Sequence, residues 1–429
     1  MKKPRFKKLI ITVAAALTLG FSAVFGGCSA GRNAINGKDL NIYDIYEAVK
    51  VETENPDLTF TDFLREYLSY NPDEIENAVT LQKAINNSLL SSVSVQARFT
   101  ENGLSVTYSG SGVIIEADRA GGDMTVVTNA HVVYSAKSRA DNYGISRNVR
   151  LWLYGSESDY EGTFNKNAIS ARVVAVSKTY DVAILKVENN DLVKASQAKA
   201  ASWSRAEEVY VGETVYAIGN ADGKKMSANV GYISKDSERV EVDLGDSSLY
   251  EYTVLRTSAA INSGNSGGGL FNVGGEIVGL VNAKGKTDAA GFGYALPSAS
   301  TRRVVQNLLD CGAQVSLYKH NFSVNVTDMY STGLNADGFA EIYEQVSIFA
   351  VNLSSPFYGQ LRSDDVLKRV KITRGGETVE DVDIMREHNF NDVLLSVREG
   401  DRIEITVSRN GSDFTATATA SAENFKLLD

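Results

Sequence analysis

The sequence predicts a mainly β protein: two consecutive β-barrels, preceded by short helices and followed by a small α+β domain. Two observations carry this. From about Ser91 the apolar residues recur with a period of two, in short segments rich in Val and Ile. Gly, Asn and Asp clusters punctuate those segments at the spacing of an all-β sandwich or barrel. The 429 residues suffice for two or three domains, and a hydrophobic content of 43% is enough to bury a sizeable core.

The first residues read as targeting. Lys2, Lys3, Arg5, Lys7 and Lys8 precede an apolar run from Leu9 to Phe25, then Gly26-Gly27-Cys28-Ser29. A basic end, an apolar core and small residues before a cut site make an export signal over 1–27. Cys28 after two glycines resembles the lipobox of bacterial lipoproteins, which implies a lipidated Cys28; Phe25 departs from its usual aliphatic residue. The alternative is an uncleaved membrane anchor, since the run is near the lower length limit for spanning. Either way, the bulk of the chain is expected outside the cytoplasm as a membrane-anchored protein. Removing 1–27 takes the formal charge from −10 to −15, because that segment holds five bases and no acid. A surface that acidic repels phosphate backbones, so no nucleic-acid partner is expected.

Residues 28–39 read as a polar tether, and 40–90 as a helical region. Ile42, Ile45, Tyr46 and Val49 share a helical face, as do Phe60, Phe63, Leu64, Tyr67 and Leu68, with Asn55-Pro56 and Asn71-Pro72 as breaks. The β region spans 91–312. Its first half predicts strands at Val93–Phe99, Leu104–Tyr108, Gly112–Glu116, Met124–Thr128, Val149–Tyr154, Ala171–Val176 and Val182–Val187. Its second half predicts them at Thr214–Gly219, Ala228–Ser234, Val240–Leu244, Tyr252–Arg256, Glu276–Val281 and Gly291–Leu296. A helix at Ser298–Leu309 closes it, and 318–425 forms the last domain. With Cys28 lipidated, Cys311 has no partner, and stability must come from the core without a disulfide.

Three segments carry chemistry. In Val126-Val127-Thr128-Asn129-Ala130-His131 a strand ends in a turn that presents one of only three histidines, suiting His131 as a general base. In Tyr180-Asp181-Val182-Ala183-Ile184-Leu185 a carboxylate enters an apolar run. A buried aspartate is costly unless paired, and accepting an imidazole N–H would satisfy Asp181 and fix the tautomer. In Asn262-Ser263-Gly264-Asn265-Ser266-Gly267-Gly268 a serine sits in a glycine-rich turn, with the amides of Gly264 and Ser266 as an oxyanion hole. A phosphate-cradling loop is the alternative for this turn, but no Lys-Ser/Thr ending or following helix accompanies it. The order His, Asp, Ser on two barrels is that of chymotrypsin-like enzymes.

With these motifs in place, residues 90–312 resemble the protease domain of the HtrA/Deg family. The likeness extends to Ser111-Gly112-Val113-Ile114-Ile115 and Ala217-Ile218-Gly219-Asn220. It implies a serine endopeptidase acting on unfolded or damaged exported proteins, with no cofactor or metal and often as a homotrimer. It also implies a specificity pocket at Ile261, Val281 and Asn282 that favours a small aliphatic residue before the cut. No acid occupies Ile261–Asn265, which disfavours cleavage after Lys or Arg. Leu361-Arg362-Ser363-Asp364-Asp365-Val366 and Arg398-Glu399-Gly400-Asp401-Arg402-Ile403 are similar to parts of a PDZ module, with Asp364 in place of a usual glycine. Two competing readings are a substrate-binding chaperone and a sensor that cleaves one membrane partner. An intact triad speaks against the first, and a narrow cleavage profile would favour the second.

Overall fold

The computed structural model describes residues 72–427, except 139–141, 157–166, 208, 245–247, 283–291, 312–317, 321 and 335–339, together with 46, 50 and 57–59. The expected export signal, Cys28, the tether and most of the 40–71 helical region lie outside the described residues. Among the described residues no helix is long and apolar enough to cross a membrane.

Helix α1 (Pro72–Leu89) leads into the first barrel. Six strands close it in the order β1-β2-β3-β6-β5-β4: β1 (Ser92–Glu101), β2 (Leu104–Asp118), β3 (Asp123–Thr128), β4 (Asn148–Leu153), β5 (Ile169–Ser177) and β6 (Val182–Val187). Alternation explains the closure: Val93, Val95 and Ala97 of β1 face inward with Val126, Leu151, Val173 and Leu185 from the neighbouring strands. The segments expected at Leu104–Tyr108 and Gly112–Glu116 are one strand, β2. Its Ser109-Gly110-Ser111-Gly112 stretch reads as a break, yet it stays paired with β1 from Ser92↔Val113 to Glu101↔Leu104.

The second barrel holds β8 (Thr214–Gly219), β9 (Ser227–Asp243), β10 (Leu249–Thr257), β11 (Gly269–Asn272), β12 (Glu276–Val281) and β13 (Gly293–Pro297). The order β11-β8-β9-β10-β13-β12 closes through β11–β12 pairing, and the two-residue β7 (Ser202–Trp203) attaches to β12. Here too, two expected strands, Ala228–Ser234 and Val240–Leu244, belong to one 17-residue strand, β9. Helix α2 (Ala130–Val133) is a single turn after β3, and α3 (Ser298–Cys311) follows β13.

The C-terminal lobe has its own core, centred on Phe322, Phe357, Val370, Phe390, Ile403 and Ile405. A sheet of β14 (Val324–Leu334), β15 (Ala340–Val351), β16 (Val366–Arg374), β18 (Arg402–Arg409) and β19 (Ser412–Thr419), with β17 (Glu377–Asp383) on β16, packs with helix α4 (Glu387–Val393). The lobe is tied to α3 by buried polar bonds. Arg303, 2% exposed, donates to Glu380 from Nε and Nη2, both at 3.1 Å, and to Glu207 at 2.8 Å. Asn307 Nδ2 donates to the Leu395 carbonyl at 2.8 Å, and Ser300 bonds Asp392.

Candidate active site

The fold brings His131, Asp181 and Ser266 from three separate segments to the junction of the two barrels. His131 is the second residue of α2, and it lines an open cleft of about 580 Å³ with Tyr108, Tyr134, Val242, Leu244 and Asn282. Its side chain is 31% exposed, whereas that of Asp181 is fully buried. Asp181 adopts φ 49° at the turn between β5 and β6, a conformation that aspartate tolerates better than most residues.

That turn aims the carboxylate at the histidine. Asp181 Oδ2 lies 2.8 Å from His131 Nδ1, and Oδ1 accepts the His131 main-chain N–H at 2.9 Å. Asn282 Nδ2 is the third donor to the carboxylate, reaching Oδ2 at 2.6 Å, and Asn129 Nδ2 donates to the Asp181 carbonyl at 3.0 Å. The buried charge is therefore satisfied on both oxygens. Burial pulls the imidazole pKa down, but the Asp181 charge and hydrogen bond outweigh it and leave His131 above the ordinary histidine value.

Ser266 follows a tight turn in which Gly264 has φ +94°. A Cβ at Gly264 would stand 2.2 Å from the Asn220 carbonyl, so only glycine fits. The carbonyls of this loop are turned onto fixed partners. Ser263 O accepts from Asp222 N at 2.7 Å, Gly264 O from Ser111 Oγ at 2.7 Å, and Ser266 O from Ser111 N at 2.8 Å. Ser111 of β2 thus staples the serine loop of the second barrel onto the first. Its Oγ also accepts the Asn220 N–H at 2.8 Å. The Ser266 hydroxyl donates to the Asn282 carbonyl at 2.5 Å.

The three residues expected to line a specificity pocket separate. Ile261 and Val281 are 3% and 0% exposed and belong to the second barrel's core. The Ile261 side chain closes over Gly293, with Cδ1 2.3 Å from where a Cβ there would stand. Asn282 lies at the cleft, but its amide faces Asp181. Sequence reading gave no role to Ser111, Asn129 or Asn220. Asn129 sits within the His131 segment, and Ser111 and Asn220 sit in the two further stretches that resemble the HtrA/Deg family, but their long-range partners are not readable from spacing.

Residues 110–280 match the model of the trypsin-like peptidase domain. The chain is 29% identical over 354 residues to "Serine protease Do-like HtrA" of Bacillus subtilis (strain 168), covering 80% of this chain and 69% of that protein. It is 24% identical over 448 residues to "Serine protease Do-like HtrA" of Lactococcus lactis subsp. cremoris (strain MG1363), covering 100% and 98%. It is 26% identical over 307 residues to "Probable periplasmic serine endoprotease DegP-like" of Chlamydia trachomatis serovar D, covering 70% and 53%.

Proposed function

The chain belongs to the HtrA family of trypsin-like serine proteases, and we propose that His131, Asp181 and Ser266 are the catalytic triad of this serine endopeptidase. The observation that carries this reading is the pairing of a buried, fully bonded Asp181 with the cleft-facing His131 through Nδ1. Neutral His131, its Nδ1–H held by Asp181, presents Nε2 as the base. Ser266 Oγ, on leaving the Asn282 carbonyl, gives its proton to His131 and attacks the scissile carbonyl to form an acyl-enzyme. The amides of Gly264 and Ser266 hold the oxyanion, and the anchoring of the loop's carbonyls through Ser111 and Asp222 supports that role. Imidazolium protonates the leaving amine, and water then repeats the sequence to release the acid.

The substrates are unfolded or damaged exported proteins. The resemblance to the HtrA/Deg family implies a small aliphatic residue before the cut. The enzyme works outside the cytoplasm, in line with the printed name of the Chlamydia relative, and is anchored through lipid on Cys28 after loss of 1–27. The protease domain spans 91–312, and 318–425 is a divergent PDZ-like domain; the protein assembles as a homotrimer.

The test uses the full chain in detergent with a fluorophosphonate probe and casein as an unfolded substrate, alongside Ser266→Ala. Labelling and cleavage that both vanish in the variant are expected, with turnover falling on the order of 10⁴–10⁶-fold. Casein cleavage by the variant at a comparable rate would overturn the nucleophile. If neither form labels or cleaves, the substrate-binding reading takes its place.

A further inference from the structure

We propose that the cavity between the Asp181 turn and the C-terminal lobe binds a small zwitterion, of the class of free amino acids. The observation behind it is a lysine and an aspartate that face one space without closing on each other. The cavity measures about 250 Å³. A single water needs about 10–15 Å³, so there is room for a small organic molecule. Thr179 and Tyr180 wall it on one side, α3 contributes Ser300, and α4 contributes His388 and Asp392. Lys319 completes it, from the three-residue strand Tyr318–His320. None of its lining residues lines the cleft in front of His131, so this is a second site.

Two groups in the cavity are left with capacity to bond. The Lys319 ammonium has three hydrogens to donate. Among the described residues none accepts one of them or stands within ion-pair distance, and the opposite charge that acts on it is Asp392. Burial pulls this ammonium below the usual lysine value, and Asp392 draws it back only in part. Asp392 is 6% exposed. Its Oδ2 accepts the Ser300 hydroxyl, while Oδ1 has no partner among the described residues. The other charges are engaged: Arg239 Nη2 donates to Glu387 at 2.5 Å, and its Nε stands 3.8 Å from Glu251. His388 Nε2 has a long contact of 3.5 Å with Asn389 Nδ2, which leaves the ring free to serve a ligand.

Charges drawn out of water are costly unless they meet an opposite charge with good geometry. Lys319 and Asp392 share a cavity yet stand farther apart than an ion pair. A molecule with a carboxylate at one end and an ammonium at the other fills that gap. Its carboxylate meets Lys319 and His388, and its ammonium meets Asp392 Oδ1. A lone anion is disfavoured, because Glu251, Glu387 and Asp392 outnumber Arg239 and Lys319 in the lining by three to two. A lone cation leaves Lys319 uncompensated and adds repulsion to it. Only both charges on one molecule satisfy both residues, and every free amino acid carries that pair.

The test is calorimetric titration of the full chain in detergent with glycine, L-alanine, L-leucine and L-glutamate. Propionate and ethylamine serve beside them as probes with one charge each. Saturable binding of at least one amino acid is expected, about tenfold or more tighter than either single-charge probe. Lys319→Met and Asp392→Asn should each weaken it on the order of 10- to 100-fold, the factor carried by one hydrogen bond to a charged group. Asp392→Asn keeps an acceptor for Ser300, and a thermal melt of each variant separates lost binding from lost folding. Should a variant not fold, the single-charge probes on the unaltered chain decide the matter. No saturation with any of the four amino acids would overturn the proposal. So would equal binding of propionate or ethylamine, or wild-type affinity in either folded variant. A loss confined to Lys319→Met would mark an anion site in place of a zwitterion site.

Discussion

His131 meets Asp181 twice, through its ring Nδ1 at 2.8 Å from Oδ2 and through its main-chain N–H donating to Oδ1 at 2.9 Å. The second contact locks the one-turn helix α2 onto the β5–β6 turn, so the base and its orienting acid move as one body. The first contact fixes the sign of the electrostatics. Burial lowers the affinity of the imidazole for a proton, and the adjacent carboxylate raises it more.

From that sign comes a pH prediction. A base is active when neutral, so kcat/KM should fall as pH drops through the folded His131 value, with a midpoint above the ordinary 6.5. Asp181→Asn removes the upward pull and leaves burial, so the midpoint should move below 6.5 while turnover drops about 10⁴-fold. Profiles of kcat/KM on casein decide it, and a limb that stays put in Asp181→Asn contradicts the pairing. For stability the sign is opposite to that for activity. A raised histidine pKa stabilises fully below the unfolded value, and this contribution is lost as pH rises through the folded one.

Gly264→Ala tests the oxyanion turn. With φ +94° and a new Cβ placed 2.2 Å from the Asn220 carbonyl, the loop must move. Losing one oxyanion donor costs on the order of 10²–10³ in kcat. The left-handed backbone adds only about 1–2 kcal/mol of destabilisation. The expected outcome is a folded protein with kcat reduced by that factor and KM little changed, read from casein kinetics beside a thermal melt. Undiminished kcat would remove Gly264 from the site.

Much of this arrangement was legible because it is local. His131, Asp181 and Ser266 each sit in a short run where a strand ends or a glycine turn begins, and chain order alone suggested their convergence. The barrels were legible from alternation, as in Val93, Val95 and Ala97. What escaped depends on distance along the chain. Ser111 lies 153 residues from Gly264, and Asn282 lies 101 from Asp181, so no periodicity encodes those bonds. The glycine-containing stretch of β2 reads as a break because glycine usually weakens a strand. Here it allows close approach: a Cβ at Gly110 would stand 2.9 Å from the Ser266 carbonyl.

Cys28 gives a prediction independent of the site. If lipid on this cysteine is the anchor, Cys28→Ala should abolish incorporation of labelled palmitate and leave the precursor uncleaved at residue 27. An uncleaved span predicts instead that the variant and the wild type differ in mass only by the substitution itself and share the same membrane fraction. Intact mass spectrometry of the membrane-extracted protein separates the two.

Arg303 tests how the C-terminal lobe is held. Its guanidinium spans Glu380 and Glu207, and Glu380 is itself only 8% exposed. Arg303→Met fills the space but leaves Glu380 with only the Ser396 hydroxyl at 2.7 Å and Arg302 at 4.0 Å, and breaking a buried pair from one side costs up to about 3–5 kcal/mol. Arg303→Met with Glu380→Met removes both charges and should recover most of that loss. Burial pushes the Glu380 carboxyl up, but the hydrogen bonds and charge of Arg303, aided by Ser396 and Arg302, bring it below the usual value. A depressed carboxylate contributes stability above its unfolded pKa, and that contribution fades as pH falls through the folded one. The gap in melting temperature between wild type and Arg303→Met should therefore narrow on acidification, as Glu380 takes a proton in both. A gap that is independent of pH, or a double variant no more stable than the single, would mean that the lobe is held by its apolar contacts with α3 and not by this pair.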